Sequence, residues 1–439
     1  MSDSSRRAFL KQTSLAAAGA AAVQLAGPRV ARAAADKFLV GVIGCGGRGT
    51  YLAETFAAND DVTIGYLCDP DPERATRAGE QVMKRAKAAP AIVTDLRKVI
   101  DDPSINAVVI ATPDHWHAPA AIMALNAGKH VYVEKPCSHN IREGRLLVEA
   151  ARKNKRICQV GTQSRTASHI ESAVQMLRSG VIGDVLVAKA WNSQKRKNIG
   201  HQGPGEKPQN LDYDMWVGPA AMVPYQANRL HYNWHWWYDF GTGDMGNDGV
   251  HDIDIARWGL GVEEHPTAIS AIGGKYFFDD DQQFPDTQYV SFEYPGNGKT
   301  GSQRQLIFES RIWSPYVQEG YENGNAFYGT EGMMILGKAG GWEVYGPGNK
   351  LIQKMRAAER GPAHIRNFLD CAKQGREPTA DVEIGHLSAT LCHLGNIATR
   401  VGRVVRFDSK TEQIRDDPEA AKLLRRDYRE GHWAMPVGV

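Results

Sequence analysis

Two side chains that can move protons, Lys135 and His251, stand out by their positions in the sequence. Lys135 belongs to Glu134-Lys135-Pro136, which directly follows a strand-like run at residues 129–133. Such a run predicts a buried strand, and a lysine at its carboxyl end would face the crevice in which parallel sheets bind ligands. Partial burial and a nearby cationic ligand would favour the neutral amine, which can accept a proton. The alternative is an ordinary surface lysine at a strand end.

His251 begins a helical pattern, because Ile255 and Trp258 follow it at four and seven residues. An imidazole titrates near neutral pH and is the most frequent general acid or base in enzymes. A histidine at this point can also cap the helix or pack in the core. Lys135 and His251 are therefore candidates for proton transfer, and other elements must position them.

A glycine-rich turn is the first of these elements. The short apolar run at residues 37–43 leads into the pattern G-x-G-x-x-G, and residues 50–58 are compatible with a helix. This strand, turn and helix context predicts a dinucleotide site. Gly44 allows the tight turn, Gly46 lets the backbone approach a pyrophosphate, and Gly49 lets the helix pack close to the strand.

A second apolar run, at residues 62–68, ends at Asp69, which lies 20 residues beyond Gly49. A carboxylate at this point accepts hydrogen bonds from the ribose diol of NAD and repels the 2′-phosphate of NADP. Arg48 and Arg74 are near enough in sequence to meet such a phosphate. NAD is therefore the preferred cofactor, and NADP stays open.

The remaining first-half pattern alternates strands at residues 107–111, 129–133 and 157–160 with helices. This alternation predicts an α/β fold with a right-handed, doubly wound parallel sheet. Ligands bind beyond the carboxyl ends of such strands. The residues at those ends are predicted to contact the cofactor (Arg48, Thr112, Pro113, His117, Glu134 and Lys135) or the substrate (Gln163 and Arg165).

In its glycine turn, its Asp69, its Thr112-Pro113 pair and its Glu134-Lys135-Pro136 run, the chain resembles the Gfo/Idh/MocA oxidoreductase family over residues 37 to about 407. The resemblance implies an NAD-binding Rossmann domain at residues 36–161. It also implies an α+β domain at residues 162–439, with an open, largely antiparallel sheet through which family members commonly form homo-oligomers. The family's lysine is catalytic and the histidine of its D-x-G-x-H-x-x-D motif is a general acid or base, roles that fall on Lys135 and His251.

One position departs from that motif. Asn247 stands where the family has its first acid, and Asp248 follows one place later. An asparagine can position a sugar hydroxyl but cannot take a proton. Asn247 and Asp248 are therefore predicted to bind substrate, with Asp248 as a candidate helper in proton transfer.

An aromatic stretch just upstream surrounds His235 with Trp234, Trp236, Trp237 and Tyr238. Sugars present apolar faces edged by hydroxyls, so aromatic platforms with polar neighbours suit them. His235 is predicted to contact the substrate, whereas some of the rings must pack in the core.

Signals for metals and disulfides are weak. The pairs His231-x-x-x-His235 and His115-x-His117 have no third ligand at motif spacing, so no metal site is predicted. The six cysteines show no C-x-x-C spacing and are interpreted as buried thiols.

The N-terminus predicts an export signal. Residues 5–11, SRRAFLK, match the twin-arginine pattern, and an Ala-rich stretch leads to an A-x-A-like site at residues 31–33. Residues 1–35 are expected to be a signal peptide read by the twin-arginine export machinery, which places the protein in the periplasm or otherwise outside the cytoplasm. The stretch is too short and too Ala-rich for a stable membrane span.

The net charge and the predicted export signal reduce the number of possible functions. The 439 residues include 52 basic and 50 acidic side chains, which leaves no electrostatic footprint for nucleic acid and fits a neutral carbohydrate. We expect an NAD(P)-dependent oxidoreductase that acts on a hydroxyl of a sugar, cyclitol or glycoside. Its cofactor should be tightly bound, because an exported enzyme meets no NAD pool. The bound cofactor must then be regenerated on the enzyme. Coupled oxidation of one sugar and reduction of another would regenerate it, and so would redox-neutral, NAD-dependent glycoside hydrolysis. A non-catalytic nucleotide-binding or sugar-binding protein is disfavoured by the presence of both Lys135 and His251.

Overall fold

The computed structural model describes residues 37–86, 88–314, 316–357 and 361–439, so the expected signal peptide at residues 1–35 lies outside these ranges. Over the described residues, the first layer is a sheet of six parallel strands in the order β3-β2-β1-β4-β5-β6. The strands are β1 (Phe38–Ile43), β2 (Val62–Cys68), β3 (Ala91–Val93), β4 (Ala107–Ile110), β5 (His130–Val133) and β6 (Cys158–Val160). The strand order reverses direction between β1 and β4, where such sheets open a ligand crevice. The predicted doubly wound parallel sheet is confirmed.

Helices pack on both faces of this sheet because its strands are apolar on both sides. Val40, Val42 and Val109 join one buried cluster, whereas Val108 and Ile110 join another. The connecting helices are α1 (Gly47–Ala57), α2 (Pro72–Met83), α3 (Arg97–Ile100), α4 (Asp114–Asn126) and α5 (Ile141–Asn154).

The second layer is a sheet with strand order β14-β13-β12-β11-β7-β10-β9-β8-β15-β16. Neighbouring strands are antiparallel except β7 and β10, which are parallel. The expected open, largely antiparallel sheet is therefore confirmed. Its strands are β7 (Val185–Asn192), β8 (Ala268–Gly274), β9 (Thr287–Tyr294), β10 (Arg304–Arg311), β11 (Asn323–Gly329), β12 (Met333–Gly337), β13 (Gly341–Gly346), β14 (Lys350–Arg356), β15 (Val405–Asp408) and β16 (Gln413–Arg415).

The helices of the second half are α6 (Ser168–Arg178), α7 (Tyr213–Val217), α8 (Val250–Leu260), α9 (Pro362–Gln374), α10 (Val382–Val401) and α11 (Pro418–Lys422). A π-helical turn, Met245–Gly249, leads directly into α8, and short 3-10 helices span Gln163–Thr166, Ala227–Arg229, Asn233–Trp236 and Pro347–Asn349. α8 packs against β7 and β11, so the residues at its start lie between the two layers.

Two helices of the second half also complete the first layer. In α9, the ring of Phe368 packs edge-on against Phe56 of α1, with 5.9 Å between ring centroids. From α10, Glu383 pairs with Arg145 of α5, and the same guanidinium reaches Glu412 in the turn between β15 and β16. The two layers therefore share both apolar contacts and ion pairs.

All six cysteines are buried and unpaired, as the sequence indicated. Over the part of the chain that the structure describes, no helix is both long and apolar enough to cross a membrane.

Candidate active site

The glycine turn between β1 and α1 depends on two glycines for steric reasons. Gly44 adopts a φ of +89°, and a Cβ there would lie 2.5 Å from the backbone oxygen of Ala111. A Cβ on Gly49 would lie 1.7 Å from the oxygen of Gly44. Only glycine allows this close approach of helix, turn and neighbouring strand. The turn has the geometry that the sequence pattern predicted.

A cavity of about 460 Å³ opens at the carboxyl ends of β1, β2, β4 and β5. Its volume lies in the range of pockets for small ligands and cofactors. Of the residues predicted for the cofactor, all but Gly49 line it: Gly44, Gly46, Arg48, Asp69, Thr112, Pro113, His117, Glu134 and Lys135. Gly49 lies behind the turn and shapes it. The cavity thus lies where the sequence analysis expected the dinucleotide.

Asp69 stands at the carboxyl end of β2 and points into the glycine turn. Its Oδ2 accepts the backbone N–H of Cys45 at 2.7 Å, and its Oδ1 accepts the N–H of Asp71 at 3.0 Å. Burial raises the pKa of this carboxyl, although the two N–H donors and Arg74 act in the opposite direction. The carboxylate is therefore held rigidly at the cavity wall, where a ribose diol can donate to it.

Glu134 is buried beside the cavity and carries a firm ion pair. Nε of Arg48 lies 2.7 Å from its Oε1. Burial alone would raise the pKa of Glu134, but the charges of Arg48 and Lys135, together with the hydrogen bond from Arg48, lower it. Arg48 thus fixes the residue that precedes Lys135 in a charged state.

His117 holds the backbone on both sides of the site. Its Nδ1 lies 2.6 Å from the oxygen of Pro136 and its Nε2 2.9 Å from the oxygen of Thr112. The peptide between Lys135 and Pro136 is cis. Because both ring nitrogens face backbone oxygens, His117 orients the two strand ends more than it offers a free donor to a ligand.

Lys135 reaches from the first layer to the second. Its Nζ donates to the backbone oxygen of Asn247 at 2.7 Å and to the side-chain Oδ1 of the same residue at 3.0 Å. Asn247 lies in the π-helical turn before α8 and also lines the cavity. The two layers therefore meet at the lysine that the sequence analysis assigned to catalysis.

A buried acid supports Asn247 from behind. Asp244 accepts the Nδ2–H of Asn247 at 3.1 Å, and Asn192 and Arg196 donate to the same carboxylate. Arg196 also pairs with Asp248. These contacts fix the amide of Asn247 with its oxygen towards Lys135, an orientation that a free asparagine would not keep.

His251 lies in the first turn of α8, close to charged groups of both layers. Burial, followed by the positive charges of Lys338 and Lys135, holds the pKa of this imidazole well below its usual value, while Asp248 opposes them. The imidazole is therefore uncharged near neutral pH. His251 does not line the cavity itself.

Asp248 is ionised at the same place. Burial acts to raise the pKa of its carboxyl, but Lys338, Arg196 and Lys135 together lower it. An ionised Asp248 cannot donate a proton near neutral pH. Its position supports a role in orienting Arg196 and balancing the charge around His251.

His235 and its aromatic neighbours form the other wall. The ring of His235 stacks on Trp234 with 3.5 Å between centroids, and its Nδ1 lies 2.5 Å from the oxygen of Tyr232. All three residues line the cavity. Burial lowers the pKa of His235 to about 3, so the ring is uncharged. In contrast, Trp236 and Trp237 do not line the cavity and are buried in an apolar cluster, as the core-packing alternative expected.

A roof segment, residues 211–217, closes the cavity over the first layer. Leu211, Met215 and Trp216 line the cavity from this side. The indole N–H of Trp116 in α4 donates to the backbone oxygens of Met215 and Trp216, both at 3.1 Å. The roof segment therefore belongs to the second half of the chain but is anchored on the first layer.

A C-terminal strap, residues 426–434, braces the roof segment. Nη2 of Arg426 lies 2.7 Å from Oε1 of Glu143 in α5. Nη2 of Arg429 lies 2.7 Å from Oδ1 of Asp214 in α7. The strap thus ties the roof segment to a helix of the first layer.

Two residues predicted to contact substrate lie elsewhere. Arg165 makes a bidentate ion pair with Asp254, at 2.8 and 2.9 Å, and both side chains are buried. Gln163 donates to Tyr132 and Glu134 and does not line the cavity. Both follow β6, the last strand of the first sheet, whose end the α8 segment covers. The sequence placed both residues correctly at a strand end, but it did not indicate that α8 covers this end of the sheet.

Two protein-family models match this chain. One, described as oxidoreductase family, NAD-binding Rossmann fold, matches residues 38–162. Another, described as oxidoreductase family, C-terminal alpha/beta domain, matches residues 186–289 and 347–435. Together the matches cover well over half of the chain.

Two curated relatives match part of the chain. A glycosyl hydrolase family 109 protein from Shewanella sp. (strain ANA-3) is 33% identical over 155 residues, 34% of this chain and 34% of that protein. An alpha-N-acetylgalactosaminidase from Shewanella oneidensis is 31% identical over the same shares. The chain thus spans about a third of the length of these relatives.

Solved structures show the same fold over nearly their whole length. An aldose-aldose oxidoreductase from Caulobacter crescentus, complexed with glycerol, has a TM-score of 0.64 at 20% identity and covers 84% of this chain and 100% of its own. A levoglucosan dehydrogenase with NADH and levoglucosan has a TM-score of 0.63 at 19% identity and covers 84% and 99%.

Proposed function

The chain belongs to the Gfo/Idh/MocA oxidoreductase family, and from this premise we propose that it transfers a hydride between bound NAD and a hydroxyl-bearing carbon of a sugar, cyclitol or glycoside. One observation carries the proposal. The lysine at the end of β5 crosses to the second layer and meets Asn247, in the turn that leads to a neutral His251.

The residues around the cavity fit a dinucleotide. A side chain on Gly44 or Gly49 would fill the space that the turn needs, and the carboxylate of Asp69 is fixed at the cavity wall. Gly46 and Arg48 would lie along the pyrophosphate, with Thr112 and Pro113 nearer to the nicotinamide. NAD held by these residues would supply hydride transfer to and from the substrate carbon, which is the only redox chemistry that the proposal needs.

The chain's own side chains move the proton. We assign His251 as the base, because its imidazole is uncharged and it lies in the first turn of the helix that directly follows the turn of Asn247, a residue that lines the cavity. Lys135 donates hydrogen bonds, and a substrate oxygen can take the place of one of its acceptors on Asn247. Asn247 keeps the lysine aimed between the layers, so the site orients the hydroxyl before reaction.

The roof segment supports retention of the cofactor. The roof segment lies over the cavity, and the C-terminal strap fixes that segment to α5. Retention suits the proposed export by the twin-arginine machinery to the periplasm, where a released cofactor would be lost. Assembly into a homo-oligomer through the open sheet is part of the same proposal, on the strength of the family alone.

Redox-neutral glycoside hydrolysis is the second candidate. The names of the two curated relatives favour it, because both name glycoside-cleaving proteins. Both activities would use the same Lys135 and His251, and they differ in whether the sugar leaves oxidised or cleaved.

A single set of measurements separates the candidates. The purified protein is denatured and its released nucleotide is quantified, and the native protein is then incubated with a panel of sugars and glycosides while NADH absorbance is followed. A stoichiometric rise that a second sugar erases supports oxidoreduction. Glycoside cleavage without net NADH supports hydrolysis. If the protein carries no nucleotide and neither oxidises nor cleaves any compound, both proposed activities are contradicted. The alternative of a non-catalytic nucleotide-binding or sugar-binding protein is then favoured.

A further inference from the structure

Tyr232 brings a phenol to the cavity that the hydride transfer and proton transfer described above do not use. The residue lines the cavity and is 51% exposed. His231, which directly precedes it, has a φ of +62°, in the left-handed region that residues other than glycine rarely adopt. Backbone strain of this kind collects at ligand sites. The exposed ring and the strained residue before it therefore mark this part of the cavity wall for a role in binding.

Arg196 fixes the oxygen of this phenol. Nη1 of Arg196 donates to the hydroxyl oxygen of Tyr232 at 3.1 Å. A guanidinium has only donors, so the phenol oxygen must accept in this contact and its own hydrogen remains to be donated. Burial raises the pKa of the phenol, whereas the charge of Arg196 and a contact with Asn247 act to lower it. The phenol therefore keeps its hydrogen near neutral pH.

The same guanidinium connects Tyr232 to the proposed proton-transfer side. Nη2 of Arg196 donates to Oδ1 of Asp244 at 2.9 Å, and Asn247 donates to that oxygen as well. Oδ1 of Asn247 already accepts from Lys135. A continuous set of hydrogen bonds thus joins the phenol oxygen of Tyr232 to the lysine across the cavity wall, and a ligand in the cavity can take the phenol hydrogen.

His235 supplies an acceptor beside this donor. Its Nδ1 lies 2.5 Å from the backbone oxygen of Tyr232, and because that oxygen can only accept, Nδ1 carries the ring hydrogen. Burial lowers the pKa of His235 to about 3, so the ring is neutral and Nε2 has a free lone pair. Among the described residues, this imidazole makes no other side-chain hydrogen bond.

The donor and the acceptor are held together by their rings. The ring of Tyr232 lies 4.7 Å from that of His235, and Trp234 stacks on the same imidazole with 20° between the ring planes. All three residues are neighbours in one short segment and all three line the cavity. The phenol and Nε2 are therefore presented as a pair of fixed composition, one donor and one acceptor.

A free hydroxyl matches such a pair, because its oxygen accepts and its hydrogen can be donated. We propose that Tyr232 and His235 bind one unsubstituted hydroxyl of the substrate, with the phenol donating to the hydroxyl oxygen and Nε2 accepting the hydroxyl hydrogen. The inference rests on the proposed function and adds a requirement to it. The substrate must carry a second free hydroxyl besides the one held at Lys135, and a deoxy or O-methyl compound leaves a polar group of the site unpaired and is rejected.

The test is the affinity of the nucleotide-loaded protein for neutral monosaccharides, their methyl glycosides and their monodeoxy derivatives, measured by calorimetry, with kcat and KM for those that react. Tyr232→Phe removes only the phenol oxygen. Kd and KM for the full sugar should rise about tenfold, with kcat changed by less than about threefold. The monodeoxy compound that lacks the bound hydroxyl should lose no further affinity in this variant, since the interaction is already absent.

Tyr289→Phe is the matched control. Nη1 of Arg311 donates to the Tyr289 hydroxyl, also at 3.1 Å, but this pair lies on the open sheet and does not line the cavity. Kd, KM and kcat should all stay unchanged in this variant.

Unchanged affinity in a folded, nucleotide-loaded Tyr232→Phe protein overturns the inference. The same conclusion follows if the loss is equal for every monodeoxy compound, or if no compound of the panel binds. If the variant does not fold, His235→Phe, which keeps a ring against Trp234 and removes the acceptor, is judged by the same criterion. A sugar that binds through Tyr232 but is neither oxidised nor cleaved contradicts the proposed function and leaves the inference standing.

Discussion

The cofactor side and the proton-transfer side of the cavity are built in different ways. The cofactor side is built within the first layer, from the stretch between Gly44 and Asp69 and from the carboxyl ends of β4 and β5, and backbone contacts such as Gly49 against Gly44 set its shape. The proposed proton-transfer side joins Lys135 of the first layer to Asn247 of the second, in the turn that leads to His251. The cofactor side is contained in one layer and binds the nucleotide. The proposed proton-transfer side exists only when the two layers are packed together.

Because the two sides are built differently, nucleotide binding and turnover should respond to different substitutions. Changes on the cofactor side should alter nucleotide content, whereas changes on the proton-transfer side should alter turnover with the nucleotide still bound. Three substitutions test this separation, beginning with the one of largest expected effect.

Lys135→Met should lower kcat by about 10²- to 10⁴-fold, the usual contribution of a positioned proton-transfer group. Nucleotide content should stay near that of the unchanged protein, since Lys135 is only one of many residues lining the cavity. The measurements are turnover and nucleotide released on denaturation. Equal turnover in the variant would remove Lys135 from the mechanism.

Gly49→Ala should weaken nucleotide binding, because the added Cβ would lie 1.7 Å from the oxygen of Gly44 and force the turn open. Overpacking of this kind costs about 1–3 kcal/mol, equivalent to about 5- to 150-fold in affinity. Titration of the stripped protein with NAD measures the loss. Gly203→Ala, where a Cβ meets nothing within 4 Å, is the control for the substitution itself. Full affinity in Gly49→Ala would contradict the steric account of the turn.

Asn247→Ala should have the smallest effect, a fall in kcat of about tenfold, because Lys135 loses its side-chain acceptor but keeps the backbone oxygen. Nucleotide content should not change. Placed on the Lys135→Met background, the same substitution should cost almost nothing more, since both act on one interaction. Additive losses would show that Asn247 acts on the substrate independently of the lysine.

Sequence reasoning succeeded where one local pattern carries the geometry. The glycine turn, Asp69 and the alternation of strands and helices depend on neighbours close in the chain, so the parallel sheet and its cavity could be predicted. The open sheet came from family resemblance, and the structure confirms it. The fate of residues 1–35 stays a prediction.

Prediction from the sequence failed where the partner of a side chain lies in a distant segment of the chain. Arg165 stands at a strand end, the position that predicts a ligand contact, yet Asp254 of α8 pairs with it. Arg196 and Lys338 were missed because their partners, Asp244 and Asp252, lie in other elements. Packing between layers decides these roles, and no spacing rule along the chain encodes it.

The contact between α9 and α1 bears on how the molecule folds. Phe56 and Phe368 are both fully buried, and Tyr132 of β5 packs edge-on against each of them at 5.9 Å. Residues 36–161 alone would leave part of this aromatic cluster in water. We therefore expect the nucleotide-binding region to reach its native stability only when the distant helix has been synthesised and docked, so that the two regions unfold as one cooperative unit.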